Sequence, residues 1–217
     1  MALPEAERNA IHDYCIRDLP GDIEWHMNEF RFIPETELRK RLGRAFYTAR
    51  YIYKLGEALS VSGDEQHAFV KFQIMQYASI YEAVISNLLW GSYRDHPAVV
   101  ALESHEVLTE VSGFSKSVAA TFDGKAMHAA IYKTKKKLRN NIAFGDKVDC
   151  AVKIGLVDDS YAKEIKELYT LRNLAHIENE AHRQIEVEIE QSKKAYWRMQ
   201  PFLQRINALV RPGPVKE

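Results

Sequence analysis

Arg172 and His176 stand four residues apart in the segment Leu168 to Glu178, LYTLRNLAHIE, whose apolar residues recur at helical spacing. Positions i and i+4 of a continuous helix share one face, a turn apart. A guanidinium there offers paired N–H donors that suit a phosphate and the charge developing on it. An imidazole, with an ordinary pKa near ~6.5, serves as acid or base at neutral pH. Asn173, beside the arginine, could orient the histidine or donate to a phosphate oxygen. The bare pattern has low specificity, because Arg8-Asn9-Ala10-Ile11-His12 repeats its spacing. An architectural role is equally open to it, with His176 bonding a carbonyl at a helix end and Arg172 pairing with a nearby glutamate.

Two other sets of residues bear on chemistry. Glu82 lies inside His67 to Trp90, the most apolar stretch of the chain. A buried carboxylate without a partner is expensive, so Glu82 either reaches solvent or meets a cation. Lys133, Lys135, Lys136, Lys137 and Arg139 form the densest basic run. That run is read either as a solvated helix face or as an electrostatic footprint for RNA.

The elements that must position these groups read as helices. A short one spans Pro4 to Asp18, followed by the cluster Trp25, Phe30, Phe32 and Ile33, an anchor that Pro34 ends. Leu38, Leu42, Phe46, Ala49 and Leu55 place an amphipathic helix over Glu35 to Leu59, with Arg39, Lys40, Arg41, Arg44 and Arg50 on its other faces. Asp64 is the expected N-cap of the next helix, which is apolar nearly all round and therefore central. Ala98 to Gly124 is irregular, and Lys125 to Ile142 is expected to return to helix. A short helix over Lys147 to Ile154 ends at Gly155, and Asp158, Asp159 and Ser160 cap the helix carrying Arg172. The last helix, Asn179 to Val210, should kink or break at Pro201. No strand pattern of any length is evident.

Composition narrows the classes. Apolar residues make up 46% and charged residues 28% of the 217, an ordinary globular balance. Lys plus Arg equal Asp plus Glu at 30 each, so any attraction to nucleic acid must come from a local patch. Cys15 and Cys150 are far apart and outside any metal-ligand spacing, as expected of buried thiols in a reducing compartment. The N-terminus lacks the apolar run of a signal peptide, and charges interrupt every apolar stretch short of a membrane span. The expectation is a cytoplasmic protein without a metal or other cofactor. The absence of GxxxxGK, GxGxxG and HExxH patterns removes most nucleotide-hydrolase, dinucleotide and zinc-protease readings.

Ile80-Tyr81-Glu82-Ala83 at the centre of Gln73 to Leu89, a short helix ending in Gly155, and a helix closing on Leu171-Arg172-Asn173 and then His176 occur in that order. In this the chain resembles the HEPN (higher eukaryotes and prokaryotes nucleotide-binding) superfamily over roughly Asp64 to Val210. The spacer between arginine and histidine is shorter than is usual in the family's nucleases, and on a continuous helix it keeps both side chains on one face. The resemblance implies an all-α, HEPN-like helical bundle (residues 63–211) with an N-terminal helical extension (1–62) and a disordered tail (212–217). It also implies a metal-independent endoribonuclease of a bacterial defence or toxin-antitoxin system. Arg172, Asn173, His176 and Glu82 would form its site, with Glu82 as the ion-pair partner that aims Arg172. One histidine cannot be acid and base in the same step, so the implied enzyme is a homodimer with a composite cleft on its twofold axis. RNA is then the substrate, an antitoxin or regulatory protein a possible partner, and no membrane is involved. A non-catalytic HEPN-fold module that binds RNA, a nucleotide or a protein is the alternative, and a purely structural helical protein the second.

Overall fold

The computed structural model describes residues 2–111, 121–174 and 188–210. Along the chain come α1 (Glu5–Arg17), α2 (Ile23–Asn28), α3 (Thr36–Ala58), α4 (Gly63–Trp90) and α5 (Pro97–Leu102). Strands β1 (Ser104–Glu110), β2 (Thr121–Phe122), β3 (Lys125–Ala126) and β4 (Ala130–Lys136) follow, then a 3-10 turn at Arg139–Asn141. Helices α6 (Phe144–Lys153), α7 (Asp159–Leu174) and α8 (Ile189–Leu209) complete the described order. The protein is thus mostly helical, and no described helix is long and apolar enough to cross a membrane.

Helix α4 is apolar over most of its circumference, so it is stable only when other elements cover it. Helices α3, α6, α7 and α8 all pack against it. Val70, Ile74, Tyr77, Ile80, Val84, Ile85, Leu88 and Leu89 are all buried. They join one cluster with Phe30, Ile33 and Phe46 from the N-terminal segments and Met199, Phe202 and Ile206 from α8. The anchor expected at Trp25 to Ile33 is present: Phe30 and Ile33 are fully buried and Phe32 nearly so.

Local signals set most boundaries. Ser62, rather than Asp64, occupies the N-cap position of α4, and Asp64 falls in its first turn, where a carboxylate still favours the helix dipole. Helix α6 ends at Gly155, whose φ of +79 suits a residue without a Cβ. The Gly155 N–H donates to Val152 O and that of Leu156 to Ala151 O, at 2.9 Å each, the paired bonds of a Schellman motif. Asp158 Oδ1 accepts from Tyr161 N at 2.8 Å and caps α7. Helix α8 continues through Pro201 instead of breaking there. Both Pro201 and Trp197, whose carbonyl loses its intrahelical donor, face solvent, where water satisfies that carbonyl.

The expected helix over Lys125 to Ile142 is not present. Strand β4 pairs antiparallel with β1 instead, with Lys133 opposite Val107 and Tyr132 opposite Leu108. Ile131, Tyr132 and Thr134 favour extended backbone. Asp123 and Gly124, both at positive φ (51 and 72), form the two-residue loop joining β2 to β3. The ribbon β1–β4 is tied to the helices at its base by Glu103, which bonds Arg139 Nε at 2.6 Å and Lys136 Nζ at 3.2 Å.

Two measurements test this packing. Ile85→Ala leaves a cavity at the centre of α4 and should cost about 2–5 kcal/mol in urea unfolding. The second concerns His26, which is fully buried against the rings of Trp25, Phe46 and Tyr47. Its Nδ1 lies 2.7 Å from Asp22 O and its Nε2 has no partner. Burial pushes its pKa below the ordinary imidazole value, partly opposed by the Asp22 carbonyl. The unfolded chain therefore binds the proton first as pH falls through about 6.5, and stability drops by at most about 1.4 kcal/mol per pH unit until the folded-state pKa is passed. His26→Asn, which keeps a donor near the Nδ1 position, should flatten that acid limb in thermal melts recorded from pH 7.5 to 5.

Candidate functional site

The carboxylate inside the apolar helix has its cation. Arg172 Nη1 on α7 donates to Glu82 Oε2 on α4, and Tyr169 Oη, one turn before Arg172, donates to Glu82 Oε1 at 3.4 Å. The two charged side chains are 31% and 29% exposed, sheltered enough to strengthen the pair yet open along one side. The Arg172 guanidinium also lies 5.1 Å from the Tyr169 ring centroid, and the Phe144 ring of α6 packs against that ring with centroids 4.3 Å apart. Burial, and next the Glu82 charge, push the Tyr169 phenol above its usual pKa, so it remains a donor. Only some of the five guanidinium N–H groups are used by Glu82, so the remainder can receive an oxyanion.

One turn further along the same stripe of α4, Ser86 Oγ lies 3.4 Å from Lys147 Nζ of α6. Lys147 is only 8% exposed, and its ammonium sits 5.1 Å from the Trp90 ring centroid. Arg139 approaches the same ring at 5.4 Å. No carboxylate among the described residues pairs with Lys147. The stripe Glu82, Ser86 and Trp90 is therefore accompanied by three cations, Arg172, Lys147 and Arg139. Sequence reasoning did not single out Lys147 or Tyr169. A signal for Lys147 existed, since Phe144, Lys147, Val148 and Ala151 follow core-facing spacing and put the ammonium on the buried side of α6.

His176 lies outside the described residues, as does the expected tail at 212–217. Asn173 is exposed at the end of α7. The basic run divides. Alternation along β4 puts Lys133 and Lys135 on one face of the ribbon with His105, Val107 and Thr109, and Lys136 on the other with Tyr132 and Thr134. Lys136 and Arg139 are engaged by Glu103, and Lys137 lies 3.9 Å from Asp146. Lys133 and Lys135 are exposed and unpaired among the described residues. The five cations thus form no single surface. A groove of about 420 Å³ between α7 and α8, lined by Leu168, Leu171 and Lys194, touches neither Arg172 nor Glu82. No three described His, Cys, Asp or Glu side chains converge as metal ligands.

No protein-family model matches the chain, and neither the curated proteins nor the solved structures contain a match to it. The site is accordingly interpreted from its own geometry.

The ion pair makes a quantitative prediction. In a double-mutant cycle, Glu82→Gln and Arg172→Gln should couple by about 1 kcal/mol, between the values typical of exposed and of buried pairs. Urea unfolding of the two single variants and the double variant measures that coupling.

Proposed function

We propose that the chain is a metal-independent endoribonuclease of the HEPN type, acting in the cytoplasm of a bacterium as part of a defence or toxin-antitoxin system. The observation that carries this reading is the Arg172–Glu82 contact, which joins the end of α7 to the middle of α4. Those are the two helices whose sequences carry the resemblance. Glu82 and the Tyr169 ring restrict the guanidinium to a small range of directions, and a restrained arginine loses less entropy when it takes a phosphate.

In this reading the attacking group is the RNA's own 2′-hydroxyl. A base removes its proton, the oxygen attacks the adjacent phosphorus, and the 5′-oxygen leaves with a proton from an acid. The products are a 2′,3′-cyclic phosphate and a 5′-hydroxyl. His176 supplies the acid or base function, and Arg172 neutralises charge on the phosphorane. A second copy of the chain, related by a twofold axis, contributes the complementary His176 and a second Arg172. Asn173 orients the histidine or donates to the phosphate. Lys133 and Lys135 on the ribbon add electrostatic attraction for the backbone. An antitoxin or other regulatory protein would hold such an activity in check.

A second reading has an observation of its own. The guanidinium is already held by a carboxylate and an aromatic ring, as in a structural ion pair. The chain would then be a non-catalytic HEPN-fold module that binds RNA, a nucleotide or a protein. Incubation of the purified protein with RNA in EDTA separates the two. Cyclic-phosphate ends should appear, and His176→Ala or Arg172→Ala should slow their formation by about 100-fold or more. Intact RNA, with the protein folded and dimeric, would overturn the enzymatic reading.

A further inference from the structure

A second polar site lies on the opposite side of α4, between α3 and α8, and is independent of the ribonuclease reading. Tyr77 is completely buried, yet its hydroxyl has no hydrogen-bond partner among the described residues. Tyr77 lines a cavity of about 220 Å³ together with Arg50, Gln73, Ser192 and Tyr196. The Nε of Arg50 is likewise buried and, among the described residues, unpaired. Its guanidinium is held between two aromatic faces, 4.7 Å from the Tyr53 ring centroid and 4.4 Å from that of Tyr196.

Two unpaired buried donors beside one cavity carry a free-energy cost that the folded chain recovers only when something accepts from them. Among the described residues, no other polar group of the lining accepts from them. Gln73 Oε1 accepts from Ser192 Oγ at 2.5 Å, and Gln73 Nε2 donates to Phe69 O at 3.0 Å. Glu57 at the rim is bound by Lys54 at 2.5 Å. Lys54 also bonds Asp18 at 2.8 Å, so it engages both carboxylates, and neither makes an ion pair with Arg50 among the described residues. Arg50 itself makes no ion pair among the described residues. Lys193, paired with Glu190 at 2.7 Å, adds a second cation at the entrance. Burial holds the Tyr77 phenol in its protonated, donating form.

We propose that this cavity is a binding site for a small oxyanion, a phosphate or carboxylate group, that accepts hydrogen bonds from Tyr77 Oη and Arg50 Nε. A guanidinium stacked between two rings and a neutral phenol supply donors and positive charge, while the Glu57 carboxylate at the rim is engaged by Lys54. The cavity has room for such a group together with a short stem, and a neighbouring pocket of about 260 Å³ shares Tyr53, Glu57, Gln73 and Lys193 with it.

The test uses the full chain, with thermal melts and calorimetric titration against sodium phosphate, and in parallel sodium acetate, at constant ionic strength set with chloride. The melting temperature of the wild-type protein should rise saturably with one of the two anions, and the responding anion identifies the group. Arg50→Gln should weaken that response about tenfold or more. Tyr77→Phe should weaken it similarly while leaving the ligand-free melting temperature equal or higher, because it removes an unsatisfied buried hydroxyl. A ligand-free Tyr77→Phe protein that melts lower, together with no saturable response in the wild type, would mean that ordered water satisfies the hydroxyl and would overturn the site. A response identical in wild type and both variants would overturn it as well.

Discussion

The covering of α4 is the constraint on which the other elements depend. A helix of 28 residues with 11 of them buried cannot persist beside water, since isolated helices draw most of their stability from tertiary packing. Each fully buried aliphatic or aromatic side chain removed from water contributes about 1.5–3 kcal/mol. Four helices supply the cover, and each one's position follows from the stripe of α4 that it must seal. The N-terminal segments share in this through Phe30, Ile33 and Phe46, which join the same cluster as Ile80 and Ile85.

Such a helix makes its polar residues conspicuous. Gln73 and Tyr77 lie one turn apart on the stripe facing α8, and the next position in that stripe, Tyr81, packs its ring 4.8 Å from Phe202. Glu82, Ser86 and Trp90 form a different stripe, facing α7 and α6. Both candidate sites arise where a polar atom interrupts apolar packing and must find a partner from another element. Glu82 finds Arg172, and Ser86 finds Lys147. Tyr77 finds none among the described residues, and this difference separates an ion pair that completes the fold from a cavity with unused donors.

The helices were legible because their burial is one-sided or complete, and either produces a period near 3.6 or an unbroken apolar run. Leu38, Leu42, Phe46 and Ala49 carry the first signal in α3, and Ile80 to Leu89 the second in α4. Even the Glu82–Arg172 pair could be anticipated, since a carboxylate in α4 required a cation. The ribbon was not legible by the same means. All seven residues of β4 are exposed, so no buried face imposes the alternation that marks a strand, and its lysines suit a solvated helix equally well. The readable signal was local, Asp123-Gly124 between Phe122 and Lys125, a dipeptide that accepts positive φ at both positions. The spacing puts Tyr169 on the same face as Arg172, but nothing in it marks the phenol as a donor to Glu82, and Lys147 escaped attention because it sits at a core-facing helical position, where the stem of a lysine passes for packing.

The two polar sites share α4 but not a face of it. Tyr77 and Glu82 are five residues apart, which on an α-helix means about 140° of rotation and about 7.5 Å of rise. Groups bound at Arg172 and at Arg50 would therefore approach α4 from different sides, through α7 in one case and through α3 and α8 in the other. Between them lies close-packed core, Ile80, Tyr81 and Ala78, with no polar chain linking one site to the other. A charge change at one site is felt at the other only as displacement of α4 as a whole, and the close packing of α3, α6, α7 and α8 against it resists that displacement. The architecture thus lets one helix serve two separate sites, each with an arginine against an aromatic ring, one ion-paired to a carboxylate and one making no ion pair among the described residues.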